Sequence, residues 1–158
     1  MDAVQGFCDA VNAGRAELLG PTLAPDAALH SPISRRATFR GREAIVALYR
    51  DAVLPGVEET HDEVIGGEGD TWCVRARGRV GGLPIEEIIV MRLGPDDLIA
   101  ELTLHGRDFA ATAALAAALA PRVTPAGPRR VLARLLTAPI AWLLRRGDPL
   151  LIRLAGLR

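Results

Sequence analysis

Val4, Phe7, Cys8 and Val11 recur at i, i+3, i+4 and i+7, the apolar stripe of an amphipathic helix, and Asn12-Ala13-Gly14 supplies the signal that ends it. Arg15 to Leu23 reads as a second short helix. Pro25-Asp26 then turns the chain into a strand-like Ala27 to Ser31, which Pro32 stops. Helical spacing returns at Ile45, Leu48, Tyr49 and Ala52 within Arg42 to Val53, and Pro55-Gly56 closes this third helix. Beyond it the period shortens to that of strands. Glu59 to Ile65, Thr71 to Val80, Ile85 to Leu93 and Leu98 to His105 are β-rich and are separated by the turn clusters Gly66 to Asp70, Gly81 to Pro84 and Gly94 to Asp97. The pattern predicts an antiparallel meander of four strands. Asp108 is placed to cap an Ala-rich helix reaching about Leu119, after which Pro121, Pro125 and Pro128 read as a linker. The expected organisation is a domain over residues 1–120 and a tail over 121–158, with no internal repeat of solenoid length.

Composition changes this picture in one respect. The 158 residues suffice for one main core, and 49% hydrophobic with 24% charged residues excludes a disordered chain. The formal charge of zero conceals a split. Residues 1–120 hold 11 Arg against 18 acidic residues, a net of −7, whereas residues 121–158 hold 8 Arg against Asp148 alone, a net of +7. Such asymmetry points to a tail with its own partner. The opening MDAVQGFCDAVNAG has no basic region leading into a long apolar stretch, so no secretory signal is expected and a cytoplasmic protein is. Cys8 and Cys73 stand far apart without metal or redox spacing and read as small buried hydrophobes.

The order of three short helices, one early strand and a run of long strands resembles the NTF2-like superfamily, which includes ketosteroid isomerases, SnoaL-like polyketide cyclases and limonene-epoxide hydrolases. Phe7 to Gly14, then Leu29-His30-Ser31-Pro32, then Phe39-Arg40-Gly41-Arg42-Glu43-Ala44-Ile45 carry the resemblance, and Leu98-Ile99-Ala100-Glu101 is similar to the family's last strand. The resemblance covers about residues 3 to 118. It implies an α+β cone in which a strongly curved, mixed or antiparallel sheet wraps the N-terminal helices around an apolar cavity, with the amphipathic tail added. It also implies a homodimer through the outer face of the sheet. It does not imply one activity, since the scaffold serves catalysts and binders alike.

The resemblance sorts the candidate residues. Ketosteroid isomerases place a general base before the Pro of the early strand, with a Tyr and a protonated acid opposite. Ser31 occupies the base position here, Phe7 replaces the Tyr, and Ile85-Glu86-Glu87 resembles the strand that carries the acid, which falls at Glu86. A Ser hydroxyl does not abstract a carbon-bound proton without a second base, so that isomerase mechanism is disfavoured. The Arg and two acids of limonene-epoxide hydrolases are not matched either, because the corresponding strand reads Arg75-Ala76-Arg77-Gly78-Arg79. Alternation puts those three Arg on one face, a solvated or subunit-facing surface with Glu86 or Glu87 across the hairpin.

Glu86 and Glu87 must point to opposite faces, and whichever faces the apolar side becomes a candidate acid or base through desolvation. Glu86 is the expectation, against an edge carboxylate paired with Arg. His105 shares a face with Thr103 and Glu101 and could pair with the latter, or simply mark a polar outer face. Tyr49, the one Tyr, lies in a helical apolar stripe and reads either as core or as a donor into the cavity. The catalytic candidates are therefore Glu86, Tyr49 and His105, and the expected ligand-facing residues are Phe7, Val11, Ser31, Phe39 and Tyr49. No metal spacing, dinucleotide fingerprint or phosphate loop is present, so neither metal nor cofactor is expected.

In the tail, Arg130, Arg134, Thr137, Ala141 and Arg145 share a narrow helical stripe, and large apolar residues fill the rest. The uncharged run Leu135 to Leu144 is too short for a bilayer crossing, which needs about 20 residues. Two readings stay open: a helix lying on an anionic membrane surface, or an element covering apolar surface on the domain or on another protein. Nucleic-acid binding is not expected, because the tail lacks stacking residues and the body is acidic. Two functions fit these patterns: a protein that binds a small apolar metabolite and works as an acid–base isomerase, cyclase or hydrolase, or a non-catalytic module targeted by its tail.

Overall fold

A computed structural model describes residues 2–66 and 69–156. Helix α1 (Asp2–Asn12) is followed by two tight turns (Ala16–Leu18 and Gly20–Thr22) where one short helix was expected, because Pro21 interrupts the segment. Strands β1 (Leu23–His30) and β2 (Thr38–Arg40) precede α2 (Arg42–Leu48), which widens into a π-helical turn over Tyr49–Val53 and a last turn α3 (Leu54–Gly56). Pro55 sits in the first turn of α3, where a missing N–H is tolerated, and the chain leaves the helix at the extended Val57. The meander then occupies β3 (Glu58–Val64), β4 (Thr71–Val80), β5 (Leu83–Leu93) and β6 (Ile99–Arg107). Of the expected turn Gly66 to Asp70, Gly67 and Glu68 lie outside the described residues.

The six strands form one mixed sheet in the order β2-β1-β6-β5-β4-β3, in which β1 and β6 run parallel and the other pairs antiparallel. Strand β5 begins two residues before the sequence pattern suggests. Gly81 and Gly82, both at positive φ, make the two-residue hairpin, and Pro84 pairs with Arg79 beyond the point where β6 stops pairing at Glu86.

The sheet curls over α1 and α2, and Val4, Phe7, Leu19, Ile45, Ile89 and Met91 are fully buried between them. A smaller cluster of Val57, Val80, Ile85, Ala111 and Leu115 pins α4 (Phe109–Val123) to the other end of the sheet. Asp108 caps this helix, its carboxylate accepting from the Ala111 N–H at 2.9 Å. The helix continues through Pro121, which is buried, so the expected boundary at residue 120 falls inside an element. The break comes after Val123, and α5 (Pro128–Leu154) then folds back along α4. An α+β cone with a C-terminal helix is thus the observed architecture.

Candidate functional site

The two apolar clusters do not meet everywhere. Between them lies a pocket of about 220 Å³, walled by Leu29, Phe39, Leu48, Leu104 and Leu119, with Ser31 to Ser34 at one side. Its ionisable groups are Tyr49, Glu59 and Glu87. Helix α5 adds Thr137 to the lining.

Strand register explains how two carboxylates come to face an apolar space. His61 pairs with Ala76, Ala76 with Glu87, and Glu87 with Gly106, so these four residues form one row across the inner face of β3, β4, β5 and β6. Two residues along, Glu59 pairs with Gly78. The small members make room for the large ones. A Cβ on Gly78 would sit 1.9 Å from the Glu58 carbonyl oxygen, so only glycine lets β3 approach here. A Cβ on Gly106 would meet the Thr112 hydroxyl at 3.1 Å and a Glu87 carboxylate oxygen at 3.6 Å.

Asn12, at the end of α1, fixes β3 from the helical side. Its amide donates to the His61 carbonyl at 3.0 Å and accepts from the His61 N–H at 2.8 Å. Directly after His61 the ladder bulges, and Asp62 is the extra residue. The bulge turns Asp62 outward to the guanidinium groups of Arg75 and Arg77.

His61 and Glu59 form a buried pair, with Nε2 3.0 Å from Oε1. A carboxylate only accepts, so Nε2 carries the proton. The imidazole stacks on Phe7 with ring centroids 5.9 Å apart, and Phe7 in turn meets Tyr49 edge-on at 5.5 Å. Glu87 has no such partner. Among the described residues, no group hydrogen-bonds its Oε1 or the Nδ1 of His61.

Burial pushes the Glu87 carboxyl up to about 7, and the Glu59 charge adds to the shift while His61 opposes it. Tyr49 is held well above the usual phenol range by burial, then by Glu59 and Glu87, so it stays a protonated donor. Cys8 is pushed up to about 11, chiefly by burial, which leaves it an inert thiol. The pocket can therefore present an apolar molecule with a carboxyl group that exchanges its proton near neutrality and a neutral hydroxyl donor.

Of the residues expected to face a ligand, Tyr49, Ser31 and Phe39 line the pocket. Phe7 and Val11 do not; both are buried beneath it in the packed helix–sheet interface, where Phe7 supports Tyr49 and His61. The expectation for Glu86 is corrected to Glu87. Glu86 faces outward, where the Arg107 guanidinium lies 3.5 Å away, because Ile85, Glu87, Ile89 and Met91 take the inner positions. His105 is also outside, exposed and opposite Ile88 on the outer face, one position before the inward Gly106. Nor does it pair with Glu101, which contacts Arg92 and lies 3.2 Å from His30. Glu59 and His61 were missed.

A family model described as the SnoaL-like domain matches residues 4–102, and the chain belongs to that family. The fold is shared with solved structures. One is a steroid delta-isomerase from Pseudomonas aeruginosa, with 19% identity over 72% of this chain and 82% of that one and a TM-score of 0.64. Another, assigned as a polyketide cyclase from Sinorhizobium meliloti, shows 27% identity over 66% and 94% with a TM-score of 0.54. A third, a bacterial protein of cystatin-like fold from Silicibacter pomeroyi, shows 21% identity over 91% and 92% with a TM-score of 0.66. No curated protein matches the sequence.

Proposed function

We propose that the protein binds a compact apolar molecule in this pocket and moves a proton on it by general acid–base catalysis. One observation carries the reading: at the inner row of the sheet, a buried carboxyl group, Glu87, has an oxygen with no partner among the described residues and faces a pocket whose walls are mainly apolar. A structural carboxylate in such a place is ordinarily paired, because leaving one unpaired is costly.

Glu87 is the proton-transfer group. With its pKa near 7, both protonation states are populated at neutral pH, which suits a catalyst that takes a proton from one atom and returns it to another. Tyr49 supplies a hydrogen bond to an oxygen on which charge develops, and the low polarity of the walls strengthens that bond. His61 orients Glu59, whose charge helps keep the Glu87 carboxyl weakly acidic.

An apolar cavity of roughly 150 Å³ accepts a molecule the size of benzene. A pocket of about 220 Å³ therefore favours a small cyclic ketone, enone or terpenoid over a four-ring steroid. The isomerase and cyclase named among the structural neighbours fit proton transfer next to a carbonyl as the reaction class.

The test is solvent deuterium exchange at the α-carbons of compact cyclic ketones and enones, followed by NMR. The native protein is expected to accelerate exchange with a rate that rises with pH through about 7. Glu87→Gln loses about a hundredfold or more, and Glu86→Gln retains the rate. Exchange that persists in Glu87→Gln overturns the catalytic assignment. Absence of any shift in thermal midpoint across the same panel removes the binding reading as well.

A further inference from the structure

Helix α5 packs against the body with a stripe made mostly of small residues. Ala133, Thr137, Ala141, Leu144 and Gly147 recur every three or four residues and are half-buried. This stripe runs along α4 and leaves the bulky residues outside. Among the described residues, ten large apolar side chains between Val131 and Leu154 are 43–76% exposed, including Leu135 at 66%, Leu143 at 62% and Trp142 at 59%. At about 100° per residue, Leu132, Leu135, Trp142, Leu143 and Leu150 lie on the half of the helix turned away from α4, with Arg146 and Arg153 among them. Water-exposed apolar surface of this extent is characteristic of an interaction site.

The charges decide what covers it. Helix α5 carries six Arg and one acid, Asp148. Among the described residues, none of these Arg forms a salt bridge with the acidic body. Arg130 and Arg145 donate to the carbonyls of Thr124 and Gly81, and Arg146 lies 5.2 Å over the Trp142 ring. The opposite charge of the body is therefore left unused. A second copy docked through the same face would bring together two surplus-positive helices. The occupant that matches both the apolar half and the unneutralised cations is a surface with acyl chains beneath and negative charge at its rim. No helix among the described residues is long and apolar enough to cross a membrane, so α5 would lie in the interface.

We propose that α5 docks the protein on the surface of an anionic lipid bilayer, with the outward Leu and Trp side chains among the acyl chains. Arg129, Arg134, Arg146 and Arg153, which make no hydrogen bond to the body among the described residues, reach up to the phosphates on their long stems. Trp142, beside Arg146, is placed for the boundary between the two, where an apolar ring with a polar edge is favoured. This inference does not depend on the chemistry assigned to the pocket.

The experiment is flotation of the full chain with vesicles of phosphatidylcholine alone and of phosphatidylcholine doped with phosphatidylglycerol. Binding is expected with the doped vesicles only and is expected to weaken with added salt. Each Arg→Glu change at Arg129 or Arg134 lowers the partition by about fivefold or more. Trp emission shifts to the blue on the doped vesicles, and Trp142→Phe abolishes that shift while Trp72 remains. The pair Leu135→Glu and Leu143→Glu abolishes flotation; both side chains are exposed, so an unchanged thermal midpoint separates lost docking from lost folding. Equal partition onto both vesicle types, or none onto either, overturns the proposal. So does light scattering that shows a dimer dissolved by the two Leu→Glu changes in a chain that does not float, since the face then belongs to a second copy.

Discussion

Glu86 and Glu87 are adjacent, chemically identical and differently placed. Glu86 stands on the outer face, its side chain 39% exposed, within reach of an Arg107 that is itself 83% exposed. Glu87 is buried on the inner face beside Ala76 and Gly106, with no Arg in its row. Water and a mobile cation surround the first, while the second has lost water without gaining a cation. The outer face of β4 repeats the first case, since Arg75 and Arg77 share Asp62 there and Arg75 also meets Glu63. The contrast teaches that the sheet sorts these two carboxylates by side: Glu86 is solvated and within reach of a cation outside, while Glu87 is desolvated inside without the imidazole partner that Glu59 has.

The largest effect is expected from breaking the inner row itself. Gly78→Ala puts a methyl group against the Glu58 carbonyl, so β3 must leave β4 where Glu59 is held. Chemical denaturation is expected to show a loss of about 3–5 kcal/mol. A loss below about 1 kcal/mol would mean that the close approach of β3 and β4 is not required.

Next comes Glu87→Gln, read as stability against pH. The folded-state pKa is raised from 4.5 to about 7, so the folded protein binds more protons than the unfolded chain in that window. Wild-type stability accordingly falls as pH rises from about 4.5 to 7 and is lower by about 3 kcal/mol above it. The variant, which carries no charge, is expected to lack that slope. It should exceed wild type at pH 8 by an amount of that order and match it near pH 4. Parallel curves for the two proteins across the window would contradict the raised pKa. The smallest effect belongs to Glu86→Gln, which is expected to change stability by no more than about 0.5 kcal/mol at any pH, because its ion pair is solvated.

Much of the fold was legible in the sequence because burial and periodicity agree along β4, where Val74, Ala76 and Val80 alternate with Arg75, Arg77 and Arg79. Strand β5 was harder to read. Ile88 and Val90 on its outer face are as apolar as Ile89 and Met91 on its inner face, so hydropathy alone did not fix which Glu turned inward. Arg92 held the signal, since it is in step with Glu86 and has no counterpart on the side of Glu87. In β3 no such signal existed. Acidic residues occupy both faces of Glu58 to Glu63, and the bulge at Asp62 breaks the two-residue period immediately after His61. The contact of Asn12 with that backbone joins positions 49 residues apart and leaves no local trace. The helix end expected near Leu119 has a similar origin: local preference predicts a stop before Pro121, whereas the helix runs on to Val123 with Pro121 buried.

Thr137 belongs at once to the face of α5 that rests on α4 and to the wall of the pocket. Through Thr137, a surface that holds the helix and a guest that fills the cavity share one contact residue. If docking alters the seat of α5 enough to change the affinity for a guest by some factor, the guest must change the affinity for the docking surface by the same factor. Under that condition the proposed docking helix would also register whether the cavity is filled.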